Sequence, residues 1–326
     1  MLAGKDLILA TRKYAVEDRT KSWQALITTS FLLLVAQVLA IVHLPIILQL
    51  TAGLLTGLIS ARMFIIYHDY LHKSILQNSW LAKAIFTVFG LYMLAPVSIW
   101  KRSHDYHHAH NAKLYTSSIG SFPLVTKKEF LAASRSERLT YLFIRHPLTI
   151  FLGYIFMFLW GMCFRTLFKS SAKHGDVVIA IIFHFLLGGS IYLLFGWQSF
   201  LFGFIVPSLT RGAIGAYLFY AQHNFPSAKY KKKEDWTYEY AALNSSSYMK
   251  MSKLMHWFTG NIGYHHIHHM NARIPFYNLP VAFAEMKELQ SPGTTSLSPK
   301  EIYRCLKLKV WDPDQGRMLR LEEVYN

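Results

Sequence analysis

Forty consecutive residues, Ser22 to Ala61, contain no Lys, Arg, Asp or Glu. About 20 residues of helix cross a bilayer. The run is broken near its middle by Val42-His43-Leu44-Pro45, so it is predicted to form a hairpin of two spans, about 22–42 and 46–67. A second uncharged run, Val177 to Thr210, continues past Arg211 to about Ala228 and has its turn at Gly196-Trp197-Gln198. It predicts a second hairpin, with spans about 177–195 and 199–221. The rest of the composition agrees: 52% of residues are hydrophobic and only 16% charged, against roughly a quarter charged in a typical soluble domain. Disorder is excluded, and an ordinary soluble enzyme is not expected.

Charge placement orients the hairpins, because cytoplasmic loops carry the excess of Lys and Arg. Both turns are uncharged, whereas the N-terminus (Lys5, Arg12, Lys13, Arg19, Lys21), Lys127 to Arg145, Arg165 to Lys173 and Lys229 to Lys233 are basic. Two shorter uncharged stretches, Ala84 to Trp100 and His146 to Phe164, are read as interfacial or re-entrant helices. If His146 to Phe164 crossed, its basic flanks Arg145 and Arg165 with Lys169 would face opposite sides. The expectation is an all-α integral membrane protein, a single domain over residues 1–326. It has four transmembrane helices in two hairpins, interfacial helices, and a cytoplasmic helical cap from 68–176 and 222–326. Both termini lie on the cytoplasmic side. Met1 to Lys21 mixes acids and bases without a short apolar core, so no secretory signal is expected. Within the cap, Ser298-Pro299-Lys300-Glu301 reads as a helix start with Ser as N-cap and Glu reaching back, and Ile302 to Trp311 as an amphipathic helix. Cys163 and Cys305 cannot build a disulfide framework.

Ten of the sixteen histidines fall in three short segments: His68 and His72; His104, His107, His108 and His110; and His265, His266, His268 and His269. The spacing i, i+4 stacks two imidazoles on one side of a helix, and i, i+3, i+4 stacks three. All three segments fall on the predicted cytoplasmic side. His223 emerges at the same end of the fourth predicted span and can join them. The candidate ligands are therefore His68, His72, His104, His107, His108, His223, His265, His268 and His269, enough for two metals. Imidazole suits Zn, Cu, Fe and Ni alike. A structural zinc takes four ligands, so nine nitrogens argue against it, and a redox pair that activates O2 uses the excess better. Asp69 and Asp105 each follow a ligand and are candidates to accept the second ring N–H.

The remaining histidines are set apart. His43, His146, His174 and His184 have no partner at ligand spacing, and His110, His256 and His266 lie off the repeated pattern. Arg62 and Arg211 sit near the cytoplasmic ends of spans, as functional groups or snorkelling ones. Lys229 and Lys231 to Lys233 form a basic run suited to anionic headgroups or an acidic electron donor, or are a solvated charge run. A net charge of +16 suggests nucleic acid, but no motif or polar domain carries such binding.

The three boxes HxxxH (His68, His72), HxxHH (His104, His107, His108) and HxxHH (His265, His268, His269) resemble those of the membrane fatty acid desaturases of the acyl-lipid, omega-6/delta-12-like type. Their settings match as well: Arg62-Met-Phe-Ile-Ile-Tyr-His68-Asp69, Trp100-Lys-Arg-Ser-His104, Phe219-Tyr-Ala-Gln-His223 and Trp257-Phe-Thr-Gly-Asn-Ile-Gly-Tyr-His265. The resemblance runs from about Arg12 to Pro280. It departs at Tyr70-Leu71, where many relatives have Cys-Gly, and at Asn224-Phe-Pro226, where Gln-Phe-Glu is common. It implies two iron ions, O2 as co-substrate, a lipid-linked acyl chain and a separate electron donor of ferredoxin or cytochrome b5 type. The expected reaction is insertion of a cis double bond, with Tyr67, Trp100, Trp257 and Tyr264 as possible walls of an acyl tunnel or as plain packing. A related di-iron hydroxylase or ketolase shares the scaffold. A divalent-metal transporter is a further alternative, but it places its ligands near mid-membrane on several spans.

Overall fold

The computed structural model describes residues 2–115, 118–170 and 174–326; residues 171–173, at the end of the basic stretch from Arg165, lie outside them, as does the side chain of Lys169. Helix α1 (Arg19–Ile41) and helix α2 (Ile46–Leu71) form the first hairpin around Pro45, whose fixed φ ends the turn and starts α2. The next uncharged stretch is not one element. Helix α3 (Trp80–Tyr92) and helix α4 (Val97–His110) meet at 88°, separated by Leu94 in the left-handed region and by Pro96. The His146 to Phe164 stretch becomes a short helical turn followed by α5 (Tyr154–Phe164), a π-helix.

Helix α6 (Gly175–Phe200) and helix α7 (Val206–Ala221) follow, joined through the π-helical turns 201–205. Gly196 has φ 82°, a conformation that costs glycine nothing. The chain reverses there: the His184 and Phe204 rings lie 4.7 Å apart, whereas 20 residues of straight helix would separate them by about 30 Å. Among the described residues, three helical stretches are long and apolar enough to cross a membrane, namely α1, α2 and the folded-back 175–221, or four if the bent pair α3 and α4 is counted as one span.

The two uncharged turns meet at one end of the bundle. Gln198 Nε2 donates to the Leu44 carbonyl (3.3 Å) and to Gln49 Oε1 (2.5 Å), and Ser199 donates to the Ile41 carbonyl (2.5 Å). Small residues bring the hairpins together. A Cβ on Gly53 would sit 2.4 Å from the Phe202 carbonyl oxygen, and one on Gly57 would sit 2.5 Å from Thr210 Cβ. This is the small-xxx-small contact that lets apolar helices approach closely in lipid.

Arg62 and Arg211 turn inward rather than snorkel. Arg62 donates from Nε to Thr29 (3.1 Å) and from Nη1 to the Trp257 carbonyl (2.6 Å), with its guanidinium 4.3 Å from the Trp257 ring centre. Arg211 bonds the Tyr92 carbonyl and Ser208, both at 3.2 Å. Because Arg62 ties α2 to the chain segment that leads into the third histidine box, Arg62→Ala should destabilise the protein. Losing the buried bond to Thr29 and the part-buried one to the Trp257 carbonyl costs about 2 kcal/mol, which a lowered unfolding temperature in detergent will register.

At the other end lies the cap. Helix α8 (Tyr238–Asn244), strand β1 (Tyr248–Lys250), helix α9 (Lys253–Phe258) and helix α10 (His265–Met270) build one side of it. Leu7 and Tyr14 of the N-terminal segment join Ile267, Met270 and Leu279 in its apolar core. The expectation of an all-α chain needs correction. Strand β2 (Thr294–Ser296) pairs in parallel with β1, and β3 (Leu308–Asp312) pairs antiparallel with β4 (Arg317–Arg320). The predicted helix 302–311 is α11 (Pro299–Lys307) only, because Leu308 to Asp312 are all buried, a two-sided burial that an amphipathic helix does not give. Ser298 caps α11 by accepting from the Glu301 N–H, as expected; Glu301 pairs with Arg304 instead of reaching back.

Candidate metal centre

Helix α2 ends at His72, and its last turns present His68 and His72 4.5 Å apart, centre to centre. Helix α4 carries His104, His107 and His108 on its buried face, and α10 does the same with His265, His268 and His269. His223 follows α7 by two residues. All nine predicted ligands converge, in two groups: His68, His72, His104, His108 and His268, and His107, His223, His265 and His269. Within each group the ligand atoms lie within 4.8 Å of one another. The groups are neighbours, since the His108 and His269 rings, one from each, stack at 4.3 Å.

The nitrogens face each other bare. His108 Nε2 is 3.1 Å from His104 Nε2 and 3.0 Å from His268 Nε2. In the second group His223 Nε2 is 3.1 Å from His107 Nε2 and 2.9 Å from His265 Nε2, and His265 Nε2 is 3.1 Å from His269 Nε2. A ring nitrogen has either one in-plane hydrogen or one lone pair, so none can make two directed hydrogen bonds to such neighbours. A cation shared within each group would satisfy them. Metal–nitrogen bonds of about 2.1 Å at right angles put adjacent nitrogens about 3.0 Å apart. His72 Nε2, buried without a hydrogen-bond partner, is the orphan that such an ion would complete.

Protonation is compatible with this. Burial, reinforced by repulsion between neighbouring rings, holds His104, His107, His108, His265, His268 and His269 well below the ordinary histidine range. Burial likewise lowers His72 and His223 to about 4. The rings are therefore neutral near pH 7, the form that ligates metals.

Backing groups decide which nitrogen is bare. Asp69 Oδ1 lies 3.0 Å from His68 Nδ1, and its Oδ2 accepts from the Phe276 N–H at 2.7 Å. Among the described residues Asp105 hydrogen-bonds no ring. It pairs with Lys101 one turn earlier, on the outer side of α4, and its side chain is 52% exposed. Sequence reasoning missed the group that orients His223, the Ser245 carbonyl 3.0 Å from Nδ1; a backbone oxygen from a distant turn leaves no signal in the sequence. Trp100 stacks on His104 at 4.3 Å, and Tyr67 donates to the Ala95 carbonyl at 2.9 Å. Trp257 lies under Arg62, and Tyr264 stacks on Tyr248, 4.8 Å between centres.

The other histidines bond elsewhere. His43 is exposed, and His146 caps the turn at Leu148. His174 meets Ser98 at 2.9 Å and His184 meets Tyr154 at 2.6 Å. His110 bonds the Tyr106 carbonyl (3.0 Å), His266 bonds the Leu289 carbonyl (2.9 Å), and His256 stacks on Tyr264.

Comparison with known proteins points the same way as the geometry. A family model described as "Fatty acid desaturase" matches residues 44–297. A "Fatty acid desaturase" of Bacillus subtilis is 35% identical over 84% of this chain and 76% of that protein. The "sn-1 oleoyl-lipid 12-desaturase" of a Synechocystis species is 24% identical over 88% of this chain and 82% of its own. The chloroplastic "Omega-6 fatty acid desaturase" of Spinacia oleracea is 22% identical over 93% of this chain and 67% of that protein.

Proposed function

Since the chain belongs to the fatty acid desaturase family, we propose that it converts a –CH2–CH2– unit of a lipid-linked acyl chain into a cis –CH=CH– unit. O2, two electrons and two protons enter per turnover, and two water molecules leave. The observation that carries this reading is the pair of adjacent, buried, all-histidine nitrogen groups at the mouth of an apolar helical bundle. The five-histidine and four-histidine groups would each hold one iron ion. Bound iron would supply the O2-derived oxidant that removes hydrogen from an unactivated methylene.

The chain's own residues do the rest. Nine neutral donors bring no compensating negative charge, which keeps bound metals strongly oxidising. Asp69 and the Ser245 carbonyl hold the His68 and His223 rings in the tautomer that leaves Nε2 bare. The apolar surroundings exclude water and fix which methylene stands near the metals, so that position along the acyl chain sets the product.

The proposed topology has four spans in two hairpins within one domain. Their uncharged turns face outward, and both termini, the cap and the metal centre face the cytoplasm. Two observations support it: the hairpin turns meet at one end while the histidines gather at the other, and the basic N-terminal segment and Arg145 pack on the histidine side, against the third-box helix and Asn224. The electrons come from a separate carrier protein of ferredoxin or cytochrome b5 type. The test is expression in a host with saturated or monounsaturated lipids, iron and a competent reductant, followed by gas chromatography of the acyl chains. A new double bond is the expected result; unchanged chains would overturn the reading, and a hydroxylated or keto product would replace it with the related oxygenase.

A further inference from the structure

One surface reaches both histidine groups through a single buried residue. Asn111, directly after α4, is buried. Its carbonyl accepts from Trp236 Nε1–H at 2.8 Å, and its side-chain amide donates to Ser246 at 2.8 Å. Through the backbone Asn111 lies three residues from His108 of the five-histidine group. Through Ser246 it lies next to Ser245, whose carbonyl holds His223 of the four-histidine group. Trp236 and Tyr238 also close a crevice whose inner wall is His108 and His269, and it has no room for a water molecule. Neither acyl chain nor solvent can pass there. Electrons can, because an aromatic ring bridged by one hydrogen bond to the ligand-bearing backbone shortens the through-space gap.

The outer side of this bridge is cationic. Trp236 is half-buried, with the Lys113 ammonium 4.2 Å from its ring centre. Lys113 and Lys231 are bridged through their backbones, and the Lys231 ammonium lies 5.2 Å from the Tyr240 ring centre. Lys229, Lys232 and Lys233 are exposed beside them, with Lys229 bonding the Gly316 carbonyl at 2.6 Å. The same segment holds the carboxylates Glu234, Asp235 and Glu239, so five lysines face three acids. A positive field around an aromatic port is suited to steering an acidic partner.

We propose that an acidic one-electron carrier protein docks on the patch of Lys113, Lys229 and Lys231 to Lys233 and passes its electrons through Trp236 and Asn111 to the histidine centre. The proposal rests on the desaturase reading for its purpose. Each docking oxidises one carrier and reduces the centre by one electron, so two dockings serve one turnover.

The test uses the full chain in nanodiscs and an acidic [2Fe–2S] ferredoxin as probe. With metal-free protein at low ionic strength, the variant Lys231→Glu/Lys232→Glu/Lys233→Glu should raise the ferredoxin Kd at least tenfold, and the wild-type Kd should itself rise with salt. With iron-loaded protein at saturating ferredoxin, Trp236→Leu should slow stopped-flow reduction at least tenfold. Trp236→Phe should recover part of the rate, and reduction by dithionite should be unaffected. Wild-type binding and wild-type reduction in these variants would overturn the proposal. So would a triple variant that loses affinity only for vesicles containing phosphatidylglycerol, which would make the patch a membrane contact. Failure to form an unsaturated product in the host bears on the desaturase reading alone, since binding and reduction are read without one.

Discussion

His268→Ala will abolish double-bond formation, with product reduced by more than about a hundredfold; even groups that merely orient a ligand are worth 10–100-fold in metal affinity or activity. His268 Nε2 lies 3.0 Å from His108 Nε2, and its ring is 4.4 Å from that of His68, so it stands inside the five-histidine group. Removing it takes a ligand and leaves buried nitrogens facing a void. Iron per chain, measured on the purified protein, should fall towards half of the wild-type value. His266→Gln is the matched control two residues away. Its ring bonds the Leu289 carbonyl, an acceptor that a glutamine amide can serve, so iron content and product should stay near wild type. Product formation by His268→Ala, or equal iron loss in both variants, would contradict the proposed ligand set.

Asp69→Asn should weaken iron binding about tenfold to a hundredfold while barely altering the fold. Asp69 Oδ2 accepts the Phe276 N–H at 2.7 Å, and Oδ1, 3.0 Å from His68 Nδ1, accepts from that ring in the tautomer that frees Nε2 for a metal. Asparagine has a single acceptor oxygen. If it stays with Phe276, the amide N–H2 points at His68 Nδ1, which must then accept, and the ring proton moves to Nε2, where the metal needs a lone pair. Iron titration of the purified variant should show the lower affinity, and activity should recover partly as iron is raised. Asp105→Asn, which alters an exposed partner of Lys101 that hydrogen-bonds no ring, should stay near wild type in both. Equal iron affinity for Asp69→Asn and wild type would remove Asp69 from the site.

The pair Asp69 and Asp105 shows how far adjacency in sequence carries. Both follow a ligand directly, yet only one backs a ring. Asp69 closes the last turns of α2, where Phe276 of the cap meets it, whereas Asp105 looks outward from α4, and Lys101 is its neighbour one turn away. Local spacing fixes where a side chain leaves its own helix; what stands opposite depends on another element. The same limit explains Ser245 and Asn111, which act through backbone carbonyls and carry no distinguishing side-chain pattern. It explains β3 as well: Leu308 to Trp311 read as the continuation of a helix, whereas burial on both faces makes Leu308 to Asp312 a strand.

The long uncharged runs and the i, i+3, i+4 histidines were decided by sequence alone, because bilayer thickness and helical pitch are local rules that no partner can change. The lone His223 could be placed too, through its position at the end of a span. Only the tertiary structure sorted nine histidines into a five and a four, since His107 joins His223, His265 and His269 while its helix neighbours His104 and His108 join the other group. Adjacent residues on one helix point about 100° apart, and the packing of α4 between α2, α7 and α10 determines which ring each of them meets.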